Sequence, residues 1–238
     1  MLAYFIWHGV FVPFLTFLEN YMKLHNCMLV FPGVLALIVA TPVAGQSPFF
    51  PDYALPSAEG SPSTFMAATY GRGLNDASAK MNAFVLTVGR TTDRVAFSGG
   101  AGRIESGLNE WALGGSVGVD LIGKEDTPVQ LTVQGGVGWM SIDLPSGTLT
   151  NLRFPIGVAL KGRPTGSSVR VTPWVMPRIN IASASSGGTS GTSTGFGVSG
   201  GLGITAPGGF GIHLAADVLA VGDNPFMFSV GSHYVIGR

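Results

Sequence analysis

The amino-acid order points to an all-β chain that closes into an antiparallel, up-and-down transmembrane β-barrel of about ten strands. Three observations lead there. First, residues 111–121 and 129–139 alternate strictly: Trp111, Leu113, Val117, Val119 and Leu121 take one parity, with Ala112, Gly114, Ser116, Gly118 and Asp120 on the other. Val129, Leu131, Val133, Val137 and Trp139 repeat this against Gln130, Thr132, Gln134 and Gly138. A two-residue period places successive side chains on opposite faces of a strand, so each strand has one apolar and one polar or tiny face. Second, such segments of about ten residues recur between turn residues, the pattern of a membrane barrel. Third, no apolar run after residue 45 reaches helix-spanning length, and closed barrels are the other structures that satisfy every backbone group in lipid.

The chain of 238 residues divides by composition. Residues 1–21 are apolar and aromatic, and the expectation for them is an over-extended start or an apolar extension. Residues 22–45 read as a secretory signal: Lys23 is the charged region, residues 29–40 the apolar region, and Val43, Ala44 and Gly45 the small residues before a cut near Gly45. Residues 46–63, rich in Pro and Ser, read as a periplasmic lead-in. Residues 64–238 read as the barrel, with strands at 64–72, 82–90, 93–102, 109–121, 128–140, 150–161, 168–182, 194–205, 209–220 and 225–237. Eight strands are the alternative, because the first ones are weakly patterned.

Formal net charge is zero and charged residues make up 11%. There is no basic stripe to neutralise phosphates, which argues against a nucleic-acid partner. Apolar content of 46% argues against disorder. Cys27, the one cysteine, precedes the apolar part of the signal, so no disulfide or Cys-ligated metal is expected in the exported chain. The 36 glycines have no collagen period; in a barrel they allow strands to coil and keep a narrow interior from overfilling.

Connections expected at 90–93, 123–127, 162–167 and 206–208 are short, whereas 73–81, 103–108, 141–149 and 183–193 are mostly longer and polar. Short periplasmic turns and longer external loops would place both termini in the periplasm. The Ser/Gly/Thr run 183–193 reads as a flexible loop, available as a contact surface. A turn centred near Lys124 and Glu125 sets Trp111 opposite Trp139 and Asp120 opposite Gln130. Trp111, Trp139, Phe154, Phe210, Phe226, Phe228 and Tyr234 are then the expected aromatic girdles.

Here the chain resembles the bacterial outer-membrane β-barrel domain family, which includes small porin-like and outer-membrane protein A-like barrels. The resemblance covers about 64–238. It rests on the signal ending Val43-Ala44-Gly45, on Gly-rich dyads such as Gly135-Gly136-Val137-Gly138-Trp139, and on the strand Phe226-Met227-Phe228-Ser229-Val230. It implies Sec-type export, the outer membrane as location and its lipid bilayer as surroundings, and insertion by the barrel-assembly machinery. Such barrels usually end on an aromatic residue, whereas this chain ends Tyr234-Val235-Ile236-Gly237-Arg238. Nothing follows the barrel, so no peptidoglycan-binding domain is expected.

The inward parity collects the chemistry. Arg94, Arg153, Lys161, Arg170 and Arg178 are the expected inward bases; Glu110, Asp120 and Asp217 are the inward acids. A turn near Thr165 would set Lys161 opposite Arg170 and Arg153 opposite Arg178, like charges that repel unless compensated. One reading is a non-enzymatic narrow pore for small solutes with slight anion preference, lined by Arg153, Lys161, Arg170 and Arg178. Small inward residues such as Gly157, Ser199, Gly201 and Gly203 leave space for it. The alternative is a closed structural or surface-interaction barrel with a salt-bridged lumen.

His213 and Asp217 share an inward face but lie roughly 13 Å apart along the strand, too far for a direct dyad. A hydrolase would need His213 beside a serine and an orienting carboxylate. His233 also faces inward. Gly195-Phe196-Gly197-Val198-Ser199-Gly200 matches a dinucleotide pattern but sits inside an alternating strand, not before a helix. No metal spacing appears, and no cofactor is expected.

Overall fold

A computed structural model describes residues 62–75, 78, 81–105, 109–122, 127–144, 147–162, 168–186, 189–220 and 224–236. The extension, signal and most of the lead-in lie outside the described residues. Ten strands run in chain order: β1 (Ser63–Gly73), β2 (Asn82–Thr91), β3 (Val95–Glu105), β4 (Asn109–Ile122), β5 (Val129–Leu144), β6 (Gly147–Gly162), β7 (Arg170–Ser186), β8 (Thr189–Thr205), β9 (Phe210–Ala220) and β10 (Phe226–Ile236). Each pairs antiparallel with its sequence neighbours, and β1 pairs with β10, so the sheet is a closed up-and-down barrel.

The ladder fixes the barrel's dimensions. A path perpendicular to the strands leaves β5 at Ser141 and passes through Trp111, Arg103, Phe84 and Tyr70. It continues through Val230, Leu214, Leu202 and Pro173 and, with the β6–β7 register carried one step past Lys161↔Trp174, through Gly162. It returns to β5 at Val129, twelve residues below its start. With strands ~4.8 Å apart and a rise of ~3.3 Å per residue, that stagger tilts them by about 40° and sets a backbone radius of about 10 Å.

Polarity is inverted relative to a water-soluble sandwich. Val117, Val133 and Val158 are exposed on the outer face, while Arg178, Asn180, Ser199 and Asp217 are buried inside. Outward aromatics gather toward both ends: Trp111 (64% exposed), Trp139, Phe84 and Phe228 toward one, Phe97, Phe210 and Tyr234 toward the other. Such an exterior is stable against hydrocarbon, and closure leaves no strand edge exposed to it.

Three expectations are corrected. The β4–β5 register pairs Leu113 with Trp139 and Trp111 with Ser141, and Asp120 faces Thr132 rather than Gln130. A bulge between Asp120 and Ile122 absorbs one residue there. The β6–β7 register places Lys161 opposite Trp174 and Gly157 opposite Arg178, so neither like-charge pair forms. Both shifts are even, and an even shift leaves every side chain on its expected face. Finally, 141–149 and 183–193 are largely strand. β7 and β8 stay paired to Ser186↔Thr189, with Ser183↔Thr192 and Ser185↔Ser190 in between, because strand pairing on both sides of β7 overrides the weak β-preference of Gly and Ser. Residues 189–195 of β8 continue past the last β8–β9 pair, Phe196↔Ala220, so β5–β8 project beyond the rim at the end away from the termini.

At the opposite rim, the β8–β9 turn uses Gly209 at φ 85°, a conformation that disfavours side chains, to return the Gly209 amide to the Ala206 carbonyl at 2.9 Å.

The register gives a direct test. With Cys27 replaced by Ser, the L160C/V175C variant should cross-link under mild oxidation and run as a compact species on gels. L160C/V171C, which fits the discarded register, should not cross-link; the reverse result would refute the register described here.

Candidate functional site

Among the described residues, the barrel interior concentrates polar chemistry, and three groups stand out there. The first lies at mid-height. Arg178 on β7 and Asp217 on β9 both point inward, and the Arg178 Nη2 donates to both Asp217 oxygens at 2.6 and 2.8 Å. Arg178 is 2% exposed and Asp217 2%. Arg153 on β6 donates from Nη2 to Asn180 Oδ1 at 3.1 Å, and Arg178 Nε approaches the same oxygen at 3.4 Å. One amide oxygen thus sits between two guanidinium groups, and the carboxylate supplies the countercharge. Ser199, opposite Asp217 on β8, is fully buried beneath them.

The second group lies near the rim that carries the termini. Asp120 accepts hydrogen bonds from Gln130 Nε2 and Thr132 Oγ1 across the β4–β5 hairpin. Lys161, 3% exposed and paired in register with Gln130, is within electrostatic reach of that carboxylate. Arg170, at the start of β7, is half-buried and engaged with a neighbour. Glu110, at the opposite end of β4 from Asp120, is buried and is also engaged.

The third group is a histidine pair. His213 and His233 stack with ring centroids 5.9 Å apart and planes 26° apart. Their Nε2 atoms meet threonine hydroxyls on the flanking strands, His213 with Thr69 and His233 with Thr205, both at 2.9 Å. Each ring occupies the space over a cross-strand glycine: a Cβ at Gly211 would fall 2.2 Å from the His233 Nε2, and one at Gly231 would fall 2.4 Å from the His213 Nε2. Asp217, four residues from His213 on β9, is taken up by Arg178.

Arg94 lies in the turn between β2 and β3, exposed, with its carbonyl accepting from the Asp120 amide at 2.8 Å. Thr69 and Thr205 were not singled out in the sequence, although both are polar residues at inward parity.

Glycine space is also partly filled. A Cβ at Gly201 would meet Trp174 at 3.0 Å, one at Gly157 would meet Arg178 at 2.8 Å, and one at Gly89 would meet Phe65 at 2.2 Å. These glycines are sockets for neighbouring side chains. A cavity bounded by Ile104, Ala112, Met140, Asn151 and Arg153 holds about 10 Å³, room for one water at most.

Breaking the central pair should be costly. Asp217→Asn leaves the buried Arg178 without its countercharge and should lower stability by about 3–5 kcal/mol in urea titrations of the folded barrel. R178M/D217L, which removes both charges at similar volume, should lose less than the single variant. Equal losses would show that packing, not charge, sets the cost.

No protein-family model matches the chain, and no curated protein matches it. It is similar to solved bacterial barrels. One is the N-terminal β-barrel domain of Pseudomonas aeruginosa OprF, at 12% identity over 75% of this chain and 100% of that one, TM-score 0.39. Another is the translocator domain of the autotransporter NalP from Neisseria meningitidis, at 13% identity over 74% of this chain and 89% of that one, TM-score 0.45. A third is the outer membrane enzyme PagL, at 15% identity over 73% of this chain and 99% of that one, TM-score 0.35.

Proposed function

We propose that this chain is an exported outer-membrane barrel with a closed lumen, whose work is structural or interactive rather than transport. One observation carries the reading: Arg153, Lys161 and Arg178 are each no more than 3% exposed. Charges lining a water-filled path keep accessible area; these do not. A backbone radius of about 10 Å is short enough for side chains of arginine length to meet across the interior. The charges are moreover held by interior partners, Arg178 by Asp217 and Arg153 by the neutral Asn180. A narrow pore with anion preference draws on the same residues, and their burial weighs against it.

The interactive part would sit at the end away from the termini, where β5–β8 continue beyond the rim. Sec-type export, cleavage near Gly45, periplasmic termini and insertion by the barrel-assembly machinery belong to the same proposal. They rest on the signal pattern and on the apolar exterior.

The refolded chain in planar bilayers should show no discrete single-channel steps. R153A/R178A/D217A, which empties the mid-height plug, should show them, provided gel mobility before and after heating confirms that it folds. Discrete anion-selective conductance from the unaltered protein would overturn the closed reading and favour the pore.

A further inference from the structure

The outward faces of β1, β2 and β3 carry four exposed charged side chains, Arg72, Arg90, Arg103 and Glu105, and their positions are not random. Arg90 lies near the end of β2 toward the rim with the termini. Arg72 on β1, with Arg103 and Glu105 on β3, lies toward the other rim. All four are exposed, and none has an ion-pair partner among the described residues. Between the two sets, β1–β3 present Met66, Tyr70, Phe84, Leu86, Val88 and Phe97.

Arg72 and Arg103 belong together. In register, Arg72 pairs with Asn82 and Asn82 with Glu105, while Tyr70 pairs with Phe84 and Phe84 with Arg103. The two arginines are therefore two strands and two residues apart, about 12 Å between Cα atoms. On strands tilted by about 40°, the climb of two residues along β1 and the climb of two strands around the wall nearly cancel, so both arginines lie at about the same height. That height falls within the aromatic belt: Tyr70 lies below, Trp111 sits opposite Arg103 on β4, and Tyr70 Oη donates to Asn82 Oδ1 at 2.8 Å between them.

An arginine on a lipid-facing wall is tolerated near the interface and is costly at the midplane. Two of them at one depth, with no ion-pair partner among the described residues, call for an anion supplied by the membrane. Guanidinium groups grip phosphate oxygens with paired hydrogen bonds, and headgroup phosphates lie at the level of an aromatic belt. We propose that Arg72 and Arg103, framed by Tyr70, Asn82, Phe84 and Trp111, form an exterior site for the phosphate of an anionic lipid headgroup. Glu105, two residues above Arg103, would turn the site toward the membrane by repelling anions that approach from the water side.

The site rests on the membrane-spanning reading, and the test separates the two. The protein is folded into phosphatidylcholine vesicles with and without phosphatidylglycerol, then extracted gently, and retained lipid is counted by native mass spectrometry. Phosphatidylglycerol should be retained over phosphatidylcholine, and R72Q/R103Q should cut that retention at least fivefold. R90Q, at the other end of the wall, should change it less than twofold. Excess inorganic phosphate should not displace the lipid; displacement would mark a site for free anions and overturn the proposal. Equal retention by R72Q/R103Q and the unaltered protein would also overturn it while leaving the barrel in place. Failure to enter phosphatidylcholine vesicles at all would instead refute the membrane-spanning reading beneath it.

Discussion

In hydrocarbon, a backbone amide without a partner has no water to turn to, and each such group costs several kcal/mol. The pairing of β1 with β10, from Thr64↔Ile236 to Gly73↔Met227, therefore governs the rest of the molecule. It removes both sheet edges at once. It also fixes strand number and stagger together, and these set the tilt, the radius and the volume that inward side chains must fill. The wall meets its own limits at prolines. Pairing between β6 and β7 breaks off after Gly157↔Arg178 and resumes at Leu160↔Val175, a stretch that includes Pro177. Pairing between β5 and β6 breaks between Gly135↔Ile156 and Gly138↔Arg153, opposite Pro155. In an open sheet such prolines would be confined to an edge, and here there is none.

A fixed radius makes the interior a packing problem with polar pieces. Burying Arg178 and Asp217 separates both from water, and their mutual attraction offsets that loss only because the contact is close and further hydrogen bonds surround it. The Asn180 oxygen, reached by Arg153 and Arg178, extends the arrangement to a third strand position. The rings of Phe65, Trp174, His213 and His233 fill the space over glycines on adjacent strands. Rings laid on cross-strand glycines cover backbone that would otherwise be bare and hold the strands in register.

The two-residue period made the barrel legible in the sequence, because each strand faces two solvents of opposite character. Inward parity likewise located Arg153, Lys161, Arg178 and Asp217. What parity cannot convey is which inward residue meets which, since that depends on register, and register depends on turns whose residues follow no period. Residues 183–193 misled for a different reason. Gly and Ser, which dominate this stretch, have little strand preference of their own, and the pairing of β7 with both neighbours makes it extended. The glycines misled in a third way: an absent side chain reads as open space, yet at Gly157 and Gly201 a neighbour occupies it.

Register itself then needs a cause, and burial cannot be it, because any even slip keeps the same residues inside. The interior charges supply one. With the β6–β7 turn centred near Thr165, Arg153 would face Arg178 and Lys161 would face Arg170, two pairs of like charges inside the barrel. The observed pairing is four residues away. It sets the small Gly157 opposite Arg178 and the uncharged Trp174 opposite Lys161. It leaves Arg178 free to lean across β8 to Asp217, and it brings Asn180 within reach of Arg153. The lumen charges thus act first on the fold: they penalise the alternative slips that the apolar exterior would accept equally well. Charges that select a register must be held by specific partners, as Arg178 is by Asp217 and Arg153 by Asn180.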